Sequence, residues 1–177
     1  LQKLGRESAV GLFSRKEAGK SKGPVWNQSE ILAPVKGRLI PMAEVNDPVF
    51  SEEVIGKGVA LVPKRGRVVA PADGIVNLVF RTRHAIGMVT DGGTELMIHI
   101  GLETVRLNGR LFKSCVDQGS RVKAGDFLME FDLKQLQEEG YDMTTMVIVC
   151  NSGEYPDMDC VSGREVEELE PVIHLRP

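Results

Sequence analysis

From Ile31 onward the chain is written as short runs rich in Val, Ile and Leu, broken by Gly, Pro, Asn or Asp at close intervals. Such punctuation leaves no stretch long enough for a helical core and points to many short strands joined by turns. The 19 Gly, 9 Pro and 5% aromatic residues fit the same reading, and the expectation is an all-β domain. A chain of 177 residues with 42% hydrophobic side chains can bury one core, with room for a short appendage. The helix candidates are brief: Leu133 to Gly140, opened by Asp132 as N-cap, and a turn around Leu102 to Val105.

A weak internal echo refines the fold class. Ala33-Pro34 followed by Gly37, and Ala70-Pro71 followed by Gly74, each lead into an apolar strand. A third segment, Gly119 to Asp126 leading into Phe127 to Phe131, has the turn-then-strand form seen in barrel-sandwich hybrid folds. The expected class is an antiparallel β-sandwich or barrel-sandwich hybrid of the duplicated hybrid motif type, with one or two very short helices. Fold alone carries no chemistry.

The net charge of −3 is unevenly spread, since residues 1–28 carry +4 and the remainder −7. The basic, Gly- and Ser-containing leader over 1–28 reads as a flexible arm or interdomain linker, and 29–177 as the working domain. Basic and aromatic residues are not interleaved in the body, which argues against nucleic acid as a partner. Cys115, Cys150 and Cys160 are odd in number and unpaired in spacing, so they read as reduced thiols of a cytoplasmic protein, packed as small buried hydrophobes. No window approaches the roughly 20 apolar residues of a membrane span, and direct membrane insertion is not expected.

The informative segment is Phe80 to Gly101, which holds His84 and His99, two of the three histidines. Asp91-Gly92-Gly93 separates two apolar strands, Ala85 to Val89 and Leu96 to Ile100, and Asp-Gly is a preferred hairpin pair because both central positions need φ > 0. With Asp91 and Gly92 as the turn, His84 faces His99 directly, with Cβ atoms about 4.5 to 5.5 Å apart. With Gly92 and Gly93 it is a diagonal neighbour on the same face. A three-residue loop without a compensating bulge would put the two on opposite faces. Strand alternation then collects Phe80, Thr82, His84, Met97 and His99 on one face and sends Leu96, Ile98 and Ile100 to the core. His174, beside Val172 and Leu175 in a terminal strand, has no such company and reads as structural.

Neutral imidazole is nucleophilic near neutral pH, and its N-phosphoryl product retains a high transfer potential, so a histidine pair suits a phosphoryl relay. Such transfer needs alignment and charge stabilisation more than covalent chemistry. A second imidazole can hydrogen-bond the phosphoryl oxygens, a hydroxyl such as that of Thr82 can fix its tautomer, and an apolar surround lets a partner dock and exclude water. There is no Gly-rich phosphate loop with a following Lys and Ser or Thr, which leaves another protein as the expected donor.

At these residues the sequence resembles the glucose family of enzyme IIA domains of the phosphoenolpyruvate-dependent sugar phosphotransferase system. The resemblance spans about Ile31 to Arg176 and rests on Asp47-Pro48-Val49-Phe50, Val54-Ile55-Gly56, Ala70-Pro71 with Asp73-Gly74, Thr82 with His84, and His99, Gly101, Leu102, Thr104 and Val105. It implies a phosphotransferase component in which His99 becomes a tele-phosphohistidine. His99 would accept the group from the phosphocarrier HPr and give it to a cysteine or similar residue of enzyme IIB. His84 would assist transfer, with Thr82 bonded to it. Val49, Phe50, Val54, Ile55, Phe80 and Met97 would form the shared docking surface. Enzyme IIB and the IIC sugar permease are the implied downstream partners, in the same or another polypeptide, beside regulatory protein targets. No cofactor is implied, although a regulatory Zn²⁺ could be held between His84, His99 and a partner's carboxylate. Met97 replaces a common Phe, and Arg106 stands where an acidic residue is common.

Two other classes compete. A zinc metallopeptidase on a related hybrid fold would need a third ligand near His99, where Met97 and Gly101 offer none. A biotinyl or lipoyl carrier would need a modified Lys at a hairpin tip, and neither Lys36 nor Lys123 has a Met-Lys setting.

Overall fold

The computed structural model describes residues 26–176. Of the leader expected over 1–28, residues 1–25 lie outside the described residues. Trp26 packs against the core and its indole N–H donates to the carbonyl of Glu30 at 2.8 Å.

In chain order the strands begin with β1 (Glu30–Leu32), β2 (Gly37–Ile40), β3 (Lys57–Pro63), β4 (Arg67–Val69), β5 (Gly74–Val79), β6 (Ala85–Thr90) and β7 (Glu95–Ile100). They continue with β8 (Phe112–Ser114), β9 (Arg121–Val122), β10 (Phe127–Phe131), β11 (Thr145–Val149), β12 (Asp159–Cys160), β13 (Glu165–Val166) and β14 (Pro171–His174). Eight of them form one open antiparallel sheet in the order β13-β2-β3-β11-β7-β6-β5-β9, and two three-stranded sheets, β1-β14-β12 and β4-β10-β8, complete the sandwich. Only two short α-helices occur among the described residues, α1 (Pro48–Ser51) and α2 (Leu133–Glu138). The all-β expectation holds, with open sheet edges in place of a closed barrel.

The two Ala-Pro echoes serve the same purpose. Gly37 opens β2 and Gly74 opens β5, and a Cβ on either would lie 2.1 or 2.2 Å from the carbonyl oxygen of Val62 or Val89. Only glycine permits that close approach of neighbouring strands. Asp132 caps α2 by accepting from the Gln135 N–H at 3.0 Å, as its sequence position suggests.

Strand alternation explains how the large sheet is buried on both faces. Leu39, Val59, Leu61, Leu96, Ile98, Ile100, Val147 and Val149 point into the main core. Their chain neighbours Ile40, Ala60, Met146 and Ile148 point the other way and join Met42, Val45, Phe50 and Leu102 in a second, smaller cluster, against which Met97 packs. His99 follows Met97 by two residues and shares that second face. The cluster is thus the floor on which the site is built.

Half-burial raises the thiol pKa of Cys150, and that of Cys160 to about 11. Cys115 corrects the expectation of buried thiols, because it is exposed. His174 ends β14 with Nδ1 3.6 Å from the Glu30 carboxylate, away from the other histidines.

Candidate functional site

The hairpin register differs from both two-residue alternatives. Thr90 N–H donates to Thr94 at 2.9 Å across a loop of Asp91, Gly92 and Gly93, and the ladder pairs Ala85 with His99 and Gly87 with Met97. His84 therefore lies opposite Ile100, whose N–H donates to the His84 carbonyl at 2.7 Å. Simple alternation along that ladder would send the His84 ring to the core face.

The rings meet nevertheless, because the expected strand through Phe80, Thr82 and His84 is a turn. β5 stops at Val79, Arg83 N–H donates back to Phe80 at 2.8 Å, and Arg83 adopts a left-handed φ of 56°. That turn breaks the alternation before β6 begins and brings the His84 ring to the face that carries His99. The two imidazoles stand 4.9 Å apart centroid to centroid with their planes at 80°. Small Ala85 lies opposite His99, while the space over Gly87 is taken by Asn77 and Leu78, whose Oδ1 and Cβ would lie 2.8 and 3.3 Å from an added Cβ. The β5–β6 ladder also shifts register between Val76 and Leu78, where Leu78 pairs with Gly87.

Each ring has one nitrogen fixed. His99 Nδ1 is 2.9 Å from the carbonyl oxygen of Gly101, which can only accept, so the neutral ring carries its proton there and presents a bare Nε2. His84 Nδ1 is 2.6 Å from the Thr82 hydroxyl. Burial lowers the pKa of His99 to about 4, reinforced by neighbouring His84 and opposed by the Gly101 carbonyl and Asp47. Burial likewise lowers that of His84, which is only 6% exposed. Both rings are held neutral, the nucleophilic form.

A shallow depression of about 440 Å³ covers the pair, and Val49, Phe50, Ile55, Phe80 and Met97, five of the six residues assigned to docking, are among those that line it. Phe50 meets His99 with the rings tilted by 56° and centroids 4.8 Å apart, and Phe80 meets His84 edge-on at 5.3 Å. Phe50 is 5% exposed and acts as a wall more than a contact surface, whereas Val49 (43%) and Val54 (68%) are open to a partner. Val54 lies outside the lining and is tied to Val49 through its backbone N–H at 3.1 Å.

Sequence reasoning missed α1 and three rim residues. Asp47 accepts from Val49 N–H at 2.9 Å and Pro48 occupies the first helical position, the signal from which this one-turn helix could have been read. That turn delivers Phe50 to His99. Val105, Glu103 and Arg106 come from a 3₁₀ turn (Thr104–Leu107) and the residue before it, and they line the depression as well. Among the described residues no three His, Cys, Asp or Glu side chains converge as a metal would require, so the donor set of a zinc peptidase is not assembled here. Lys36, a candidate carrier lysine, is ion-paired to Glu167 at 2.7 Å.

Comparison with known proteins identifies the family. The family described as phosphoenolpyruvate-dependent sugar phosphotransferase system, EIIA 1, matches residues 29–155. The β-glucoside-specific EIIBCA component of Bacillus subtilis is 47% identical over 145 residues, 82% of this chain and 24% of that protein. The corresponding component of Dickeya chrysanthemi is 40% identical over 145 residues, again 82% of this chain and 23% of the relative. The chain thus spans about a quarter of the length of these relatives. The solved glucose permease IIA from Mycoplasma capricolum superposes with a TM-score of 0.78 at 37% identity, over 83% of this chain and 95% of that one. The chain belongs to the EIIA 1 family of the phosphoenolpyruvate-dependent sugar phosphotransferase system and is a phosphoryl-carrier domain.

Proposed function

We propose that His99 is the phosphoryl acceptor and donor of this domain, that phospho-HPr loads it, and that an enzyme IIB joined to a IIC permease unloads it. The observation that carries this reading is the engagement of both Nδ1 atoms, which leaves the two Nε2 atoms free beneath one apolar depression.

In loading, the His99 Nε2 lone pair attacks the phosphorus of the donor's phosphohistidine. The donor P–N bond breaks, its electron pair returns to the donor ring, and the His99 proton stays on Nδ1 against Gly101. Thr82, donating its hydroxyl to His84 Nδ1, holds that ring with a proton on Nε2, which hydrogen-bonds the equatorial oxygens. In unloading, a cysteine thiolate of IIB attacks the same phosphorus and the P–Nε2 bond breaks, returning its pair to His99. The exposed Val49, Val54 and Val105 supply apolar contact for both partners, while Asp47 and Glu103 give the rim a negative charge that favours a basic donor face. Among the described residues no helix is long and apolar enough to cross a membrane, and a cytoplasmic setting beside a permease suits the assignment. With the Thr82 hydroxyl turned to accept from a protonated His84 Nδ1, both Nε2 atoms would present lone pairs and provide half of a tetrahedral Zn²⁺ set, the rest coming from a docked partner. Such an ion would compete with phosphorylation and so regulate it.

The test is incubation with phosphoenolpyruvate, enzyme I and HPr. One acid-labile phosphoryl group should appear and map to His99, and H99A should stay unlabelled. Full labelling of H99A would overturn the assignment.

A further inference from the structure

We infer that Arg106 is the counter-ion of the phosphoryl group on His99, an inference that rests on the acceptor reading above. Phosphorylation brings about two negative charges into the depression. Two carboxylates, Asp47 and Glu103, already line it, and His84 is held neutral. Among the described residues, Arg106 is the one Lys or Arg in that lining. Without it the phosphoryl group would meet one hydrogen-bonding imidazole and a repulsive rim.

The guanidinium is held ready without being committed. Its Nη2 lies 3.2 Å from a Glu103 carboxylate oxygen, with the two side chains 70% and 63% exposed. An exposed pair of this kind contributes little, so re-aiming it costs little. The planar fork has five N–H donors and can keep Glu103 on one edge while offering the other to phosphoryl oxygens. The base of the side chain is firm, because Thr104 in the same 3₁₀ turn is fully buried and donates to the Ile100 carbonyl at 2.5 Å. Asp47, Glu103 and Arg106 also form the ridge between the histidine depression and a neighbouring polar groove. From that ridge the arginine can turn inward without displacing core side chains. Arg106 makes and breaks no covalent bond. It lowers the energy of phospho-His99 relative to the free ring.

The readout is the plateau of phosphoryl exchange between phospho-HPr and this domain. A residue that only helped docking would alter the rate of approach and leave the plateau unchanged. R106Q should lower the equilibrium constant for loading about tenfold, with the label still on His99, and R106K should fall between R106Q and the parent. A plateau for R106Q within about twofold of the parent would overturn the inference, as would an R106K plateau equal to that of R106Q. If the parent itself takes no label on His99, the acceptor reading fails first and this inference with it. The thermal midpoint of both variants should match the parent, since the side chain is exposed.

Discussion

The carbonyl oxygen of Gly101 lies 2.9 Å from Nδ1 of His99, two residues earlier in the chain. A carbonyl can only accept, so this contact fixes the tautomer and determines which nitrogen is nucleophilic. It depends on a left-handed backbone at Gly101, with φ of 74°. A Cβ there would lie 2.6 Å from Cγ2 of Thr104 and 3.0 Å from Sδ of Met143.

Gly101→Ala should therefore cost about 2 to 3 kcal/mol of stability, from the unfavourable φ and the two close contacts together. Urea unfolding measures this directly. The ¹⁵N shifts of the His99 ring should also move toward a tautomer mixture. A variant with parental stability would show that the loop relaxes around the methyl group.

His99 should remain an unprotonated nucleophile well below the pH at which an ordinary histidine is charged. Burial lowers its pKa to about 4, so an NMR titration of the isolated domain should show no His99 transition between pH 8 and pH 6. The sign for stability follows from linkage. Between about 6.5 and about 4 the unfolded chain binds a proton that the folded ring refuses, so stability falls on acidification across that window. The loss through this ring should be at most about 3.4 kcal/mol by linkage. Its partial exposure makes that an upper bound. A His99 midpoint near 6.5 would contradict the burial argument.

Much of this could be read from the chain, and the part that could not has a local cause. Alternation through Leu96, Ile98 and Ile100 places β7 and its core face correctly, because strand period and burial agree there. Asp132 marks α2 because its side chain satisfies a helix N–H. The His84–His99 encounter was expected from a two-residue turn and alternation along both strands. It arises instead from a three-residue loop and a left-handed Arg83, a non-glycine residue in a conformation that sequence gives no reason to assign. Helix α1 was missed because a single turn has no hydrophobic period, and only the Asp47-Pro48 capping pair marks it.

Thr82→Val keeps the volume of the side chain and removes its hydroxyl. If that hydroxyl donates to His84 Nδ1 across the 2.6 Å contact, its loss frees the ring to place its proton on Nδ1. Nε2 then carries a lone pair toward the phosphoryl oxygens. Loading of His99 should still reach completion, whereas transfer to IIB should slow about tenfold, the effect of one lost hydrogen bond of about 1.4 kcal/mol in the transition state. Equal slowing of Thr82→Ser, which restores an O–H donor, would point to packing as the cause.

Val49 and Val105 both line the depression, 43% and 49% exposed. Neither belongs to a core cluster, and the Thr104 hydroxyl anchors the turn that carries Val105. Val49→Ser and Val105→Ser should leave the melting temperature close to that of the parent. Each removes apolar area that a docked partner would cover, worth about 1 to 1.5 kcal/mol at about 25 cal/mol per Å². The KM for phospho-HPr should then rise about five- to tenfold for either change, with the phosphoryl plateau preserved because free His99 is untouched. Since the two residues are carried on separate turns, α1 and the 3₁₀ turn, their effects should nearly add in the double variant. A double variant with parental KM would mean that the donor binds elsewhere and that these valines are ordinary surface.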